Sequence, residues 1–251
     1  MADSNKRSST VRARAAGNRR PARPSSAAAK PRAAAQARLP QGDVTLTDRA
    51  YAELEELIVT LQLPPGTALS ELVLAKRLDI GRTPIREALQ RLSRDGLVNI
   101  LARRGVLVSE IDLRAQLRLL EVRRELERLM ARGAAERATS EQRAQFSEIA
   151  AGMRRAAEKS DDLLFMRLDH QFNTLISAAS RNEFATRAMG LMHGLSRRFW
   201  YQHYKEAADL PLAARLHADV AEAVAERRVD AAGAASDSLI DYIESFARST
   251  L

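Results

Sequence analysis

From Thr45 onward the chain alternates between apolar stripes with helical spacing and short polar or Pro-containing breaks. In "LTDRAYAELEELIVTLQL" apolar residues recur at positions 50, 54, 57, 58 and 61, which predicts an amphipathic helix. The "PPG" at 64–66 predicts a turn after this helix. Ser70 is a suitable N-cap for a short second helix over "ELVLAKRLDI", and the "GRT" that follows predicts another turn.

The next segment, "GRTPIREALQRLSRDGLV", predicts a third helix with Thr83 as its cap and Pro84 at its first position. Gly96 is expected to end this helix, whose buried stripe is Ile85, Ala88, Leu89 and Leu92. Beyond it, "LVNILARRGVLVSEI" alternates on both sides of "ARRG" and predicts a β-hairpin. Only about four residues separate the second and third helices, as a helix-turn-helix requires. Residues 44–110 are therefore predicted to form a winged helix-turn-helix domain.

The remainder of the chain, residues 111–251, has a helical pattern throughout. The polar or Pro-containing breaks "ATSEQ", "KSDD", "SRNE" and "ADLPL" divide it into successive apolar stripes. These stripes predict six helices, at roughly 112–137, 141–158, 161–179, 182–206, 212–228 and 230–249. The second domain is therefore expected to be an all-α six-helix bundle, and the fold class to be mainly α with a small hairpin wing.

Residues 1–43 differ from the rest in composition. They hold 10 Lys and Arg against two acids, so the whole net charge of +8 lies in this segment and the other residues are neutral in sum. The segment is rich in Ala, Arg, Ser and Pro and has almost nothing large to bury, which predicts a disordered basic tail. Such a tail attracts DNA phosphates weakly. A plain solubilising extension and an organelle transit peptide have similar compositions.

Several classes of protein are disfavoured. The chain has no Cys, which excludes disulfides, thiol nucleophiles and Cys-based metal sites. No apolar run approaches the roughly 20 residues of a membrane span, and no secretory h-region is visible. The sequence also lacks a glycine-rich phosphate loop and an HExxH motif. We therefore expect a cytoplasmic, nucleoid-associated protein that is not an enzyme and has no membrane partner.

The predicted third helix gathers cations at its N-terminal end, although a helix dipole favours anions there. Between positions 70 and 105 there are eight cations and four acids, a local net charge of +4 inside an otherwise neutral region. A guanidinium can pair bidentately with O6 and N7 of guanine. Arg82 and Arg86 are therefore predicted to read bases in DNA, whereas Arg91 and Arg94 are expected on a solvated face.

The segments "LPPG", "RTPIREALQRL", "DGLV" and "RRGV" occur in this order, and the spacing between them needs no insertion or deletion to match the family pattern. In this order they resemble the DNA-binding domain of the GntR family of bacterial transcription regulators. "EVRRELERLMARGAAERA", together with "DHQFNTLISAASRN" at 169–182, resembles the FCD effector domain of the FadR subgroup. The count of six helices is more similar to the VanR-type branch than to the seven-helix branch.

The resemblance implies DNA contacts at matching positions, which here are Ser70, Arg82, Thr83, Arg86, Arg104 and Gly105. Gly105 matches the tip of the wing, which approaches the minor groove in the family. Family members often carry Arg at the position of Leu72, where it contacts DNA. Because that contact is missing here, we expect a different operator preference.

The resemblance also raises the question of a metal. FCD domains of this kind often hold a divalent ion through an Asp-x-x-x-His pair and two later His residues. Here the pair is Asp169 and Asn173, the next position is His217, and the last falls on Leu239 or, with a two-residue insertion, on Asp241. The apolar stripe of the last helix favours Leu239. Zinc, nickel or manganese bound through Asp169 and His217 is therefore disfavoured, and an organic effector bound directly is preferred.

Asp169 shares the apolar side of its helix with Phe165, Phe172 and Ile176, and a carboxylate pointing into a bundle is costly unless it has a function. A small acidic metabolite is expected to bind there, in contact with Arg123, Asp169, Asn173 and His217.

Arg123, His170 and His193 are three further polar residues of the predicted bundle. Arg123 matches an Arg that family members use toward acidic effectors, but an ion pair with Glu127 one turn later is an equal alternative. His170 and His193 are predicted to face outward.

Together these features predict an effector-gated transcription regulator that binds a double-stranded DNA operator as a homodimer. The alternative is a constitutive architectural DNA-binding protein, which needs no effector cavity.

Overall fold

The computed structural model describes residues 44–103 and 105–250. The predicted basic tail at 1–43 lies outside these residues. Within them, residues 46–108 form α1 (Leu46–Val59), β1 (Ala68–Leu69), α2 (Glu71–Leu78), α3 (Arg82–Arg94), β2 (Val98–Leu101) and β3 (Gly105–Val108). This order of elements confirms the predicted winged helix-turn-helix fold.

Helix α1 begins at a capping box. The Thr45 hydroxyl accepts a hydrogen bond from the Asp48 amide at 3.0 Å, and the Asp48 carboxylate accepts one from the Thr45 amide at 3.4 Å. The helix ends at Val59, so the prediction that its stripe includes Leu61 is wrong. Leu61 has a φ of 60° and lies in the turn that follows.

Helix α3 begins earlier than predicted. Gly81 is its N-cap, so the prediction that Thr83 caps the helix is wrong, and Pro84 is its third residue rather than its first. Pro is tolerated there because the N–H groups of the first turn have no partner within the helix. Gly96, with a φ of 76°, follows the C-cap Asp95 and ends the helix as predicted.

The wing is a three-stranded antiparallel sheet in the order β1-β3-β2. Strands β2 and β3 form the predicted hairpin, in which Val98 lies opposite Val108. Strand β1 was not predicted, because two residues are too short to show an alternating pattern. The sheet covers a core of α1 and α3 side chains, of which the largest fully buried are Leu54, Ile58, Ile85, Leu89 and Leu92.

The six predicted bundle helices are confirmed. They are α4 (Leu113–Arg137), α5 (Ser140–Lys159), α6 (Asp162–Ser180), α7 (Glu183–Ala207), α8 (Leu210–Ala225) and α9 (Val229–Arg248). Helix α8 packs against α5 and α9, and its buried face is made largely of Ala, which allows close approach. No helix in the part of the chain that the structure describes is long and apolar enough to cross a membrane.

A row of ion pairs ties the outer side of α4 to α9. Arg124 contacts Asp241 at 2.7 Å, and the next pairs along the helices are Arg128 with Asp237 at 2.8 Å and Arg132 with Asp230 at 2.6 Å. Asp241 is therefore on the outside of α9, while Leu239 is buried. The apolar stripe of the last helix predicts the same arrangement, with Leu239 inside the bundle and Asp241 outside.

Candidate functional site

The N-terminal end of α3 presents two exposed guanidinium groups. Arg86 donates to the Glu71 carboxylate from Nε at 2.9 Å and from Nη2 at 2.8 Å, a bidentate pair. Nη2 of Arg82 lies 3.7 Å from the same carboxylate. Glu71, the first residue of α2, therefore holds both side chains that are predicted to read bases. Its partnership with α3 could not be inferred from the sequence, since the two helices must first pack.

This ion pair is exposed to solvent and therefore weak. Solvent-exposed pairs typically contribute about 0–1 kcal/mol, and the side chain of Arg86 is 57% exposed. The two donors that Glu71 occupies are those that a guanine would take through O6 and N7. Glu71 thus occupies the two donors that the predicted contact with a base would need, and it holds the guanidinium at the N-terminal end of α3.

Of the other predicted DNA contacts, Ser70 and Thr83 belong to the helix-turn-helix and Gly105 begins β3 of the wing. Ser70 is the N-cap of α2 but makes no side-chain hydrogen bond to that helix, and Thr83 is exposed on the first turn of α3. Gly105 has a φ of 86°, and a Cβ built on it would meet nothing within 4 Å. The wing therefore needs Gly there for its backbone conformation rather than for space. Arg104 lies outside the described residues.

Arg91 has a structural partner on the opposite side of α3. Its guanidinium lies 3.8 Å from the centre of the Tyr51 ring and 3.3 Å from the Asp48 carboxylate. This geometry agrees with the prediction that Arg91 lies on a solvated face. Leu72, by contrast, is 53% exposed on α2 and offers DNA only an apolar contact.

A cavity of about 100 Å³ lies in the helical bundle, between α4, α6, α7, α8 and α9. All four residues predicted to contact an effector line it, namely Arg123, Asp169, Asn173 and His217. Leu239, Trp200 and Phe165 contribute apolar wall. The cavity therefore combines a few charged groups with aromatic and aliphatic surface, which is typical of small-molecule sites.

Asp169 and His217 form an ion pair at the centre of this cavity. His217 Nε2 lies 3.1 Å from Asp169 Oδ1, while Nδ1 donates to the Ala213 carbonyl at 2.8 Å. Burial opposes both charges, but the hydrogen bond and the charge of the partner outweigh it. The pKa of Asp169 is lowered and the pKa of His217 is raised. Both shifts favour the charged forms, a carboxylate beside an imidazolium. Asn173 Nδ2 donates to the same Asp169 Oδ1 at 3.0 Å.

Arg123 forms the predicted ion pair with Glu127 and also lines the cavity. Its Nε donates to Glu127 Oε1 at 2.6 Å, so the ion pair one turn later is present. The side chain is nevertheless buried in the wall of the cavity, where Nη1 donates to the Ser196 hydroxyl. Gln116 donates to the same hydroxyl at 3.0 Å, so Ser196 joins α4 to α7.

The prediction that His193 faces outward is wrong. His193 is partly buried on α7 and lines the cavity, and burial lowers its pKa to about 4, so it is neutral. His170 is exposed as predicted, but it also lines the rim. The face of α7 was misjudged because this long helix has several neighbours, and its apolar residues do not form a single stripe.

Arg197, one turn after His193, was not considered a site residue from the sequence. It lines the cavity, and its Nη2 contacts the Glu56 carboxylate of α1 at 3.1 Å. The spacing of His193, Arg197 and Tyr201 at i, i+4 and i+8 is the signal that would have found this face.

The same helix also contacts the winged-helix domain. Leu195 packs against that domain's core, and Arg198 donates to the carbonyls of Ser109 and Glu110 at 2.9 and 3.2 Å, at the start of the linker. A Cβ at Gly194 would lie 2.9 Å from the side chain of Leu97, so the close approach requires Gly. Within about two turns, helix α7 thus carries both residues that line the cavity and residues that contact the winged-helix domain.

Comparison with protein families agrees with both halves of this architecture. Residues 46–108 match "Bacterial regulatory proteins, gntR family", and residues 118–242 match the FCD domain. The chain belongs to the GntR family and carries an FCD domain. GntR proteins of this kind are transcription regulators, and this regulator accordingly joins a DNA-binding winged helix to an FCD bundle.

Curated relatives carry the same description. The regulator is 29% identical over 187 residues to the "HTH-type transcriptional repressor RspR" of Escherichia coli K12, a match that covers 74% of this chain and 82% of RspR. It is 26% identical over 174 residues to the "Nta operon transcriptional regulator" of Aminobacter aminovorans, covering 69% and 81% of the two chains.

Solved structures show the same fold. The regulator superposes on E. coli McbR/YncC with a TM-score of 0.72 at 20% identity, over 83% of this chain and 99% of that one. The score against a putative GntR regulator from Rhodococcus sp. RHA1 is 0.60 at 21% identity, over 82% and 98%.

The residues at the family's metal positions do not fit a divalent ion. Leu239 has no donor atom, the Asn173 amide donates to Asp169, and Asp169 Oδ1 is already bonded to His217. Among residues 44–103 and 105–250, no group of three or more His, Asp or Glu is placed to hold a metal. An ion here would have two protein ligands, fewer than such sites use.

The Asp169–His217 pair should make stability depend on pH. The pKa of His217 is raised above 6.5, so its stabilisation is complete below that pH and is lost as pH rises through the folded-state pKa. The pKa of Asp169 is lowered below 3.8, so its contribution is lost only in stronger acid. We expect Asp169→Asn to lower the melting temperature most near pH 5–6 and progressively less toward pH 9, as measured by circular dichroism.

The matched control for this prediction is Asp162→Asn, on the exposed first turn of the same helix. It should change the melting temperature by a constant amount across the range. A difference between wild type and Asp169→Asn that does not change with pH would contradict the ion pair.

Proposed function

We propose that this regulator binds a two-fold symmetric DNA operator as a homodimer, and that a small acidic metabolite in the bundle cavity modulates this binding. The observation that carries the proposal is the position of Arg197. Arg197 lines the cavity, and its guanidinium pairs with Glu56 of the winged-helix domain. A ligand in the cavity therefore acts on a contact between the two domains.

The proposed route is competition for this guanidinium. A carboxylate that enters the cavity meets Arg123, which is neutralised by Glu127, and Arg197, whose partner Glu56 is more exposed than Arg197 itself. Exposed pairs contribute little, so the ligand can take Arg197 from Glu56. Loss of this contact shifts the population of orientations that the two winged helices of a dimer adopt.

The homodimer is proposed to form through α4 and α7. Val122 and Leu129 lie two turns apart on α4 and are 52% and 47% exposed, and Phe184 and Leu191 lie two turns apart on α7 at 70% and 54%. The two helices pack side by side. We call these four residues the α4–α7 face. A second copy covers it in an isologous contact, which places two recognition helices in half-sites related by two-fold symmetry.

Three further properties belong to the same proposal. Repression is proposed because RspR is named a repressor. The regulator is proposed to act in the cytoplasm on the nucleoid. The effector is proposed to bind without a metal, since Asn173 and Leu239 replace ligands that the family often uses. Elemental analysis of the purified protein for zinc, nickel and manganese tests the last point.

The alternative of a constitutive architectural protein is disfavoured by the cavity. A charged pair such as Asp169 and His217 is costly to bury, and a protein without an effector has no need of it. An operator affinity that stays constant across mono-, di- and hydroxycarboxylic acids would favour the architectural role.

Glu56→Gln tests the route directly. Without the Glu56 carboxylate, Arg197 is available to the ligand, so we expect an acid that binds the wild type to bind about two- to fivefold more tightly, the range that an exposed ion pair allows. The same acid should release the operator less effectively, because the contact that it disrupts is already absent. Calorimetry gives the affinity, and fluorescence anisotropy of a labelled operator gives the response.

Glu53→Gln is the matched control on α1. Glu53 pairs with Arg49 at 2.7 Å on the same helix, so its removal should change neither quantity. Equal acid affinity and equal operator release in Glu56→Gln and wild type would show that Arg197 does not connect the two sites.

A further inference from the structure

A second, larger compartment adjoins the cavity described above. It has a volume of about 360 Å³, against about 100 Å³ for the first. Both compartments are bounded by Glu127, His170, Phe172, Asn173, His193 and Leu239. These shared walls place the two compartments side by side.

The two compartments differ in chemistry. The first contains the guanidinium groups of Arg123 and Arg197 and the Asp169–His217 pair. Of the described residues that line only the second, none is charged, and its apolar wall comes from Met130, Ile176, Met189 and Val220.

Three of the four hydroxyl groups that line only the second compartment have partners within the protein, and the fourth is that of Ser236. Ser177 Oγ donates to Thr186 Oγ1 at 3.2 Å, and Thr174 Oγ1 donates to the carbonyl of His170 at 2.9 Å. A polar ligand would find few free partners there, whereas an apolar one loses nothing by burying these walls. The compartment is therefore suited to hydrocarbon.

Its size sets the length of that hydrocarbon. An apolar cavity of about 150 Å³ accommodates the six carbon atoms of benzene, so a space more than twice as large has room for a chain of about ten carbon atoms or more. The first compartment, by the same comparison, has room for about four atoms, which is enough for a carboxylate and the carbon that bears it.

We propose that the effector is a medium-length monocarboxylic acid, with its carboxylate beside Arg123 and Arg197 and its apolar chain in the second compartment. This inference rests on the proposed function, and it names the class of acid. The neutral ring of His193 lies at the boundary, where it contacts the first carbons of the chain without adding charge.

The test measures binding of acetate, butyrate, hexanoate and octanoate to the full-length protein by calorimetry, together with release of the operator. Burial of each additional methylene group should tighten binding by about fourfold. Hexanol and hexylamine, which have the same chain and a different head group, should bind at least tenfold more weakly than hexanoate. These measurements use only the wild-type protein, so they test the proposal without depending on the folding of a variant.

A substitution in the second compartment tests where the hydrocarbon chain of the ligand lies. Ile176→Phe fills part of the second compartment and should weaken octanoate at least tenfold, while acetate is unchanged. Leu163→Phe adds the same ring on an 84% exposed position of the same helix and should change neither. If Ile176→Phe loses cooperative unfolding, the comparison of acids of different length in the wild type still tests the proposal.

The outcomes separate this inference from the proposed function. Affinity that does not rise with chain length, or hexanol that binds as well as hexanoate, overturns the inference. If short di- or hydroxycarboxylic acids release the operator and the longer monocarboxylic acids do not, the inference fails and the proposed function stands. If no organic acid changes operator binding, both fail.

Discussion

Replacing Arg86 by Ala is expected to weaken specific operator binding by about 1–3 kcal/mol, which is the usual effect of losing one bidentate contact to guanine. Arg86 stands at the exposed tip of α3, and its Nε and Nη2 already form a bidentate pair with the Glu71 carboxylate. The side chain is thus held in an orientation that a base edge can accept. Binding to non-specific DNA should fall much less, because phosphate contacts elsewhere are unchanged.

Arg94→Ala is the matched control for this measurement. It removes the same charge from the other end of α3, at an exposed position that is predicted to be solvated. Titration of labelled operator and of a scrambled duplex at fixed salt concentration gives the ratio of specific to non-specific affinity. A ratio that is the same in Arg86→Ala and wild type would remove Arg86 from the base-reading set.

Introducing Glu at Leu129 and Leu191 together is expected to convert the proposed dimer into monomers. If the α4–α7 face is the interface, each new carboxylate is buried without a partner at a cost of several kcal/mol. The dimer dissociation constant should therefore rise by about a thousandfold or more. Operator affinity should fall with it, because a monomer engages one half-site alone and loses the advantage of the second.

Leu163→Glu is the control, since it adds the same charge to an even more exposed Leu on α6, outside this face. Sedimentation at micromolar concentration distinguishes monomer from dimer, and circular dichroism verifies that the fold persists. A double variant that remains dimeric would place the interface elsewhere on the bundle.

Most of the helical architecture is readable from local pattern. All nine helices of the described residues and the hairpin of β2 and β3 correspond to predicted elements, because the spacing of apolar residues reports which face of each segment is buried. The charge pattern predicts Arg82 and Arg86 as site residues, since cations at the N-terminal end of a helix oppose its dipole. Leu239 and Asp241 were assigned to opposite sides of α9 by its stripe alone.

The errors and omissions concern contacts between segments distant in the chain. Strand β1 exists only because β3 offers it an edge. The outward prediction for His193, the partnership of Glu71 with Arg86 and the link from Arg197 to Glu56 all depend on which helices become neighbours. Periodicity tells which residues of a helix are buried or exposed, but not what lies against each face. The neighbour of each face is decided by packing, because side chains up to about 140 positions apart meet only when the bundle and the winged-helix domain pack together at α7.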